Sequence, residues 1–253
     1  MSSHVSRRSL LKGVGLAGMA RALPLSFGTF AVAPNLLQQP LPAPQQQEGT
    51  EMGLTYAFFN SEEQAFIEAA VDRLIPSDDL GPGALEAGVS VFIDRQLVSF
   101  YGLGGDWYME GPWLEGAPEQ GYQVRLVPQE IYRLGIRDIN QYCQDTYGAP
   151  FAGLTEEQQV EVLQGLQAGE IELPNVPSAV FFDTLFQNTV EGFFADPIYG
   201  GNRNKVGWRL VGVPGVPAVD YGPLIEEYYN RRYEAEPLSI ADVQAGQAPE
   251  MQM

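Results

Sequence analysis

The densest set of chemically capable side chains runs from Phe193 to Arg209. It holds Phe193, Phe194, Tyr199, Gly200, Gly201, Asn202, Arg203, Lys205, Trp208 and Arg209. Gly200-Gly201-Asn202 permits a tight backbone turn through positive φ. Tyr, Trp and Arg are the residue types enriched where one protein grips another. Three readings stay open for this stretch. It is a packed surface loop whose cations pair with local acids such as Asp196 and Glu191, a partner interface, or an anion cradle. The cradle reading lacks the Gly-Lys-Ser/Thr ending of a phosphate-binding loop. As an interface, its candidate residues are Phe193, Phe194, Tyr199, Gly200, Gly201, Arg203 and Trp208. Trp208 or Tyr199 is then the expected anchor, unless both rings belong to the domain's own core.

Other groups offer less. Asp72-Arg73-Leu74-Ile75-Pro76-Ser77-Asp78-Asp79 gathers three carboxylates, but their spacing is not that of a calcium loop. A helix end followed by Asx turns accounts for them. Asp94-Arg95 lies within a helical pattern, where sequence neighbours do not face each other. A buried ion pair with a charge elsewhere is the expected role of one of them. Cys143 is the single cysteine, so no intrachain disulfide forms, and a buried inert thiol is expected. The single histidine, His4, lies in a segment expected to be removed. Ser-His-Asp catalysis and His-ligated zinc or haem are then excluded from the mature chain. No catalytic, cofactor or metal residues are assigned.

Charge narrows the partners. The 253 residues carry 14 Lys+Arg against 32 Asp+Glu, a net charge of -18. Such a surface repels phosphate, which argues against nucleic acid. It also suits a salt-rich habitat.

The N-terminus reads as an export signal. Ser6-Arg7-Arg8-Ser9-Leu10-Leu11-Lys12 has the twin-arginine pattern, followed by a Gly/Ala-rich apolar run. Ala20-Arg21-Ala22 and Ala31-Val32-Ala33 both fit a small-x-small cleavage rule, and the second is favoured. Gly13-Val14-Gly15-Leu16-Ala17-Gly18 matches a dinucleotide fingerprint but follows no strand, so it is set aside. The expected organisation is a signal peptide over 1–33, a Pro- and Gln-rich linker over 34–53, a domain over 54–233 and a polar tail over 234–253.

The elements that position these residues are helices. Asn60 caps a run with Phe66, Ile67, Ala70, Val71 and Leu74 on one face, which Pro76 stops. Pro82-Gly83 opens a second, reaching about Tyr101. A third spans Pro128 to Tyr147, Thr155 caps a fourth, and Ser178 caps a fifth. Residues 102–127 read as a long loop. No stretch alternates with period two, so an all-α, irregular single domain with long loops is expected.

Together these stretches resemble subunit 3, the small subunit, of gluconate 2-dehydrogenase. The resemblance is carried by the twin-arginine leader, Ala69-Ala70-Val71-Asp72-Arg73-Leu74-Ile75-Pro76, Gly81-Pro82-Gly83-Ala84, and Phe92-Ile93-Asp94-Arg95-Gln96-Leu97. Gln120-Gly121-Tyr122-Gln123 and Tyr132-Arg133-Leu134-Gly135-Ile136 extend it. Its strongest block is Thr189-Val190-Glu191-Gly192-Phe193-Phe194 with Asp196-Pro197-Ile198-Tyr199-Gly200-Gly201-Asn202 and Gly207-Trp208. The resemblance implies a non-catalytic accessory subunit that binds no cofactor itself. It implies a large flavin (FAD) dehydrogenase subunit of the glucose-methanol-choline type as partner, often with a c-type cytochrome subunit carrying haem c. Such complexes oxidise sugars, sugar acids or alcohols in the periplasm. The small subunit is thought to help the flavin subunit mature and to carry it through the twin-arginine translocase. Two readings remain beside it: a secreted carboxylate-dependent hydrolase, and a sugar-binding module using Trp107, Trp113 and Trp208 as stacking platforms.

Overall fold

The computed structural model describes residues 56–105, 107–114, 116–117, 123–213, 226–231 and 235–247. The leader, with Arg7, Arg8 and the Gly13–Gly18 match, and the linker lie outside the described residues. The described residues form helices and irregular connections without a strand. The all-α expectation holds. None of their helices is long and apolar enough to cross a membrane.

Helix α1 spans Ser61–Leu74. Its start is fixed by a capping box: Asn60 Oδ1 accepts from the Glu62 and Glu63 amides at 2.9 and 3.0 Å, and Glu63 Oε2 accepts from the Asn60 amide at 3.0 Å. Phe66, Ile67, Ala70, Val71 and Leu74 form its buried face, at the three-and-four spacing of one helix side. Helix α2 spans Val89–Val98, beginning later than the sequence suggests. Residues 84–88 turn instead and end at Gly88, whose φ of 76° is left-handed, while Gly83 lies close against the end of α1. A Cβ there would stand 2.6 Å from the Ile75 carbonyl oxygen.

Helix α3, Pro128–Tyr147, starts with proline at its first position and stops at Gly148, whose φ is 80°. Helix α4, Glu156–Ala168, carries the expected Thr155 capping box. Helix α5, Ser178–Phe194, is preceded by Pro177, and no side chain caps it. Ser178 is therefore its first residue rather than its cap. Helix α5 packs against α1, α2, α3 and α4 and forms the centre of the fold. Phe181 sets its ring among Phe66 and Tyr132, each at 6.0 Å between centroids. Gly135 lets α3 approach, since a Cβ there would lie 2.1 Å from Phe181 Cδ2. Each fully buried ring of this kind contributes about 1.5–3 kcal/mol by leaving water.

The polar exceptions in this core are satisfied. Tyr132, fully buried, accepts at its hydroxyl from Asn188 Nδ2 at 3.0 Å, and Asn188 Oδ1 accepts from the Tyr101 hydroxyl at 3.1 Å. Cys143 is buried, and burial pushes its thiol up to about 12, which keeps it protonated and inert. The Asp72–Asp79 stretch behaves as a helix end: Asp78 Oδ1 accepts from the Leu80 amide at 2.9 Å, an Asx turn. No metal-holding cluster occurs among the described residues.

Asp94 departs from expectation. It is buried at 1% exposure, but it meets no cation among the described residues. Its two oxygens accept the backbone amides of Ala57, Phe58 and Phe59 at 2.7, 2.9 and 2.9 Å. Three N–H groups spread enough partial positive charge to hold a buried carboxylate. Arg95, its neighbour, points outward and is exposed. Arg133 completes this anchorage, donating to the Phe58 carbonyl at 2.7 Å with its guanidinium 4.2 Å over the Phe58 ring.

Candidate partner interface

The Phe193–Arg209 segment begins as the last turn of α5 and folds back over it. Two short 3-10 turns, Pro197–Tyr199 and Arg203–Lys205, lead into helix α6, Val206–Val211. A helix end leaves carbonyls without intrahelical donors, and this segment supplies the donors. Trp208 Nε1 donates to the Phe194 carbonyl at 2.7 Å, and Asn202 Nδ2 donates to the Ala195 carbonyl at 2.8 Å. Asn202 Oδ1 accepts in turn from the Gly207 amide at 2.8 Å. Asn202 has no exposed surface and takes a φ of 46°, a left-handed value that asparagine tolerates better than most residues.

Glycine here serves close approach. A Cβ on Gly201 would sit 2.1 Å from the Gly192 carbonyl oxygen, and one on Gly207 would sit 2.1 Å from that of Phe193. The obstacles are backbone atoms, so no rotamer change relieves them. Gly192, Gly201 and Gly207 thus form one surface on which two chain segments touch directly.

The candidate residues divide. Phe193 is 1% exposed and packs edge-on to Phe194 at 5.2 Å between centroids. Trp208 is 8% exposed with its indole N–H consumed internally. Gly201 is buried and Gly200 and Phe194 are half-buried. Tyr199 is 52% exposed, its neighbour Ile198 47%, and Arg203 is exposed. Tyr199 therefore faces outward while Trp208 closes the domain's own core. Trp208 is also withdrawn from any shared stacking surface with Trp107 and Trp113. Trp107 meets Tyr101 edge-on at 6.0 Å.

Two of the segment's three cations, Lys205 and Arg209, pair with acids outside the segment. Lys205 Nζ meets Asp242 at 2.7 Å and the Pro237 carbonyl at 2.8 Å. Arg209 pairs with Glu236, its Nε lying 3.1 Å from Oε1. Asp196 is buried and serves the backbone, accepting from the Ile198 amide at 3.0 Å and the Ile240 amide at 2.8 Å. Glu191 accepts from Gln187 Nε2 at 2.9 Å. These contacts dock residues 235–247, read from sequence as polar tail. They contain helix α7, Ile240–Gln244, capped by Ser239, with Leu238 buried. Burial alone would raise the Asp242 carboxyl. Lys205 and the Ser239 hydroxyl and amide outweigh it and hold the group down at about 2.

Between α2 and the outer side of this segment lies an open groove of about 570 Å³, lined by Phe92, Gln96, Glu191, Phe194, Ala195 and Tyr199. A second cleft, of about 370 Å³, includes Glu62, Glu63, Arg133, Arg137 and Asn140. Its acids are committed to structure: Glu63 caps α1 and pairs with Arg133, and Glu62 accepts from Asn140 Nδ2 at 3.0 Å.

No curated protein and no solved structure matches the chain. A family model, gluconate 2-dehydrogenase subunit 3, matches residues 61–215, which runs from the first residue of α1 through α6. The match takes in the whole helical core and the folded-back Phe193–Arg209 segment, and the chain belongs to the gluconate 2-dehydrogenase subunit 3 family.

Proposed function

We propose that this chain is the non-catalytic accessory small subunit of a flavin-dependent dehydrogenase of the glucose-methanol-choline type. Its work is to help the FAD-bearing large subunit mature and to escort it through the twin-arginine translocase to the periplasm. The observation that carries the reading is the family match across the helical core. The Arg7-Arg8 leader supports the export part: that translocase moves folded proteins, and a cofactor-loaded passenger gives this chain a reason to use it. The one histidine lies at position 4, inside the leader, so the chemistry of the complex belongs to the partner. A c-type cytochrome subunit is a further member of the proposed assembly, passing electrons onward.

The test is purification of the tagged full chain from its own cells. A flavin-bearing subunit of the complex should come with it, with dye-linked dehydrogenase activity toward a sugar, sugar acid or alcohol. The chain produced alone should be colourless and inactive. Changing Arg7 and Arg8 to Lys keeps the charge and removes the paired guanidinium groups. Periplasmic flavin subunit should then disappear, and its undiminished arrival would defeat the escort role.

A further inference from the structure

We propose that Arg95 and Arg203 form a two-guanidinium clasp that receives a carboxylate-bearing segment of the flavin subunit, with Tyr199 and Ile198 as its apolar flank. This rests on the subunit reading above and names the face and the chemistry through which the partner docks.

The two arginines come from different elements and converge on one backbone contact. A Cβ on Gly88 would stand 2.9 Å from the Gly200 carbonyl oxygen and 3.4 Å from Arg203 Nη2. A Cβ on Gly200 would stand 2.9 Å from Arg95 Nη1. The Arg203 amide donates to the Ala87 carbonyl at 2.9 Å, fixing this join between the start of α2 and the folded-back segment. Gly88 and Gly200 have φ of 76° and 105°, so both positions require glycine for conformation as well as for space.

Charge bookkeeping makes this pair unusual. The chain carries 32 acidic residues against 14 Lys+Arg, so a cation should find an acid easily. Arg73, Arg133, Arg137, Lys205 and Arg209 each do. Arg95 and Arg203 have no acidic partner among the described residues, and both are exposed. Arg125 and Arg231 share that condition, but Arg95 and Arg203 meet at the same join. Asp94 is taken by three amides and Asp196 by two, and Glu191, which accepts from Gln187, forms no ion pair with either arginine.

Two like charges flanking one backbone join, unneutralised, favour an anion. The planar fork of arginine matches a carboxylate bidentately, and its weak hydration suits burial in an interface. A polyanion such as nucleic acid or an anionic lipid surface would meet the repulsion of the whole acidic chain. A single carboxylate on an otherwise neutral or basic protein face would not. The clasp is then a point of reversed sign in an acidic surface, which is the kind of feature that sets register between partners.

The test uses the tagged full chain purified from its own cells, as wild type and as Arg95→Glu, Arg203→Glu and Arg95→Lys. Each reversal should lower recovery of the flavin subunit at least about tenfold at fixed salt. Melting of the isolated chain should move by no more than about 2 °C, since neither side chain supports the fold. A zero-length carbodiimide cross-link from the amine introduced by Arg95→Lys should land on an Asp or Glu of the flavin subunit. Undiminished recovery with both reversals, from a wild type that does carry the subunit, overturns the clasp and leaves the subunit reading standing. Cross-links confined to this chain's own Glu48 or Glu51 also overturn it, with the linker as occupant. A wild-type chain that brings no flavin subunit overturns both.

Discussion

The inner and outer sides of the Phe193–Arg209 segment are built from similar residues and do opposite things. On the inner side Trp208 fills space and closes the end of α5 with its indole N–H. On the outer side Tyr199, nine residues earlier, has half its surface in solvent, and Arg203 is exposed as well. The difference lies in the backbone. Asn202, Asn204 and Lys205 have φ of 46°, 57° and 57°, and these left-handed steps turn the chain so that one flank is buried and the other presented. A specific sequence block can therefore be half scaffold and half surface, and its aromatic residues cannot be sorted by type.

Substitutions that treat the two sides alike would break this contrast. The largest effect is expected from Trp208→Ala, which empties a buried ring site and orphans the Phe194 carbonyl. A loss of about 3–5 kcal/mol is expected, read as a large fall in melting temperature of the isolated chain. A Trp208→Ala chain that melts normally would mean that the inner side is not structural. Gly201→Ala should come next, at about 1–3 kcal/mol, because its Cβ collides with the Gly192 carbonyl and the two backbones must part. Denaturant unfolding of that variant measures it.

The docking of α7 offers a sharper, pH-dependent probe. Asp242 is held below its unfolded value of about 3.9. A depressed carboxylate contributes stability that is full above the unfolded value and is lost as pH falls through the folded value. Asp242→Asn should therefore destabilise the chain at pH 5 and differ little from wild type near pH 2. Melting curves at the two pH values would show it, and an equal gap at both would contradict the Lys205–Asp242 account. The smallest effect belongs to the outer side. Tyr199→Ala should change stability by no more than about 0.5 kcal/mol, while recovery of the flavin subunit falls. A stability loss as large as that of Trp208→Ala would merge the two sides.

Much of the scaffold was legible because helix ends carry local signals. Asn60 with Glu63 and Thr155 with Gln158 mark helix starts by groups three residues apart, and Pro128 marks another. The start of α2 was misread because Pro82-Gly83 resembles an opening. The chain turns through Gly88 instead, a left-handed step that no hydrophobic period announces. Helix α7 escaped notice for the same reason, since five residues held by Lys205 and Asp196 show no hydrophobic period. The role of Asp94 was hidden more deeply. Its partners are amides, which every residue but proline possesses, so no side-chain pattern announces them. The sorting of Trp208 from Tyr199 depends on positive-φ turns, for which neither a period of 3.6 nor one of 2 exists to be read.

The Asp94 arrangement also has a mechanical meaning. Its three amide bonds converge on one carboxylate just ahead of α1, so a pull arriving along the upstream chain meets them before it reaches the helix. The domain is clamped at its leading margin. A pull on residues 57–59 would have to break that set before α1 begins to unwind.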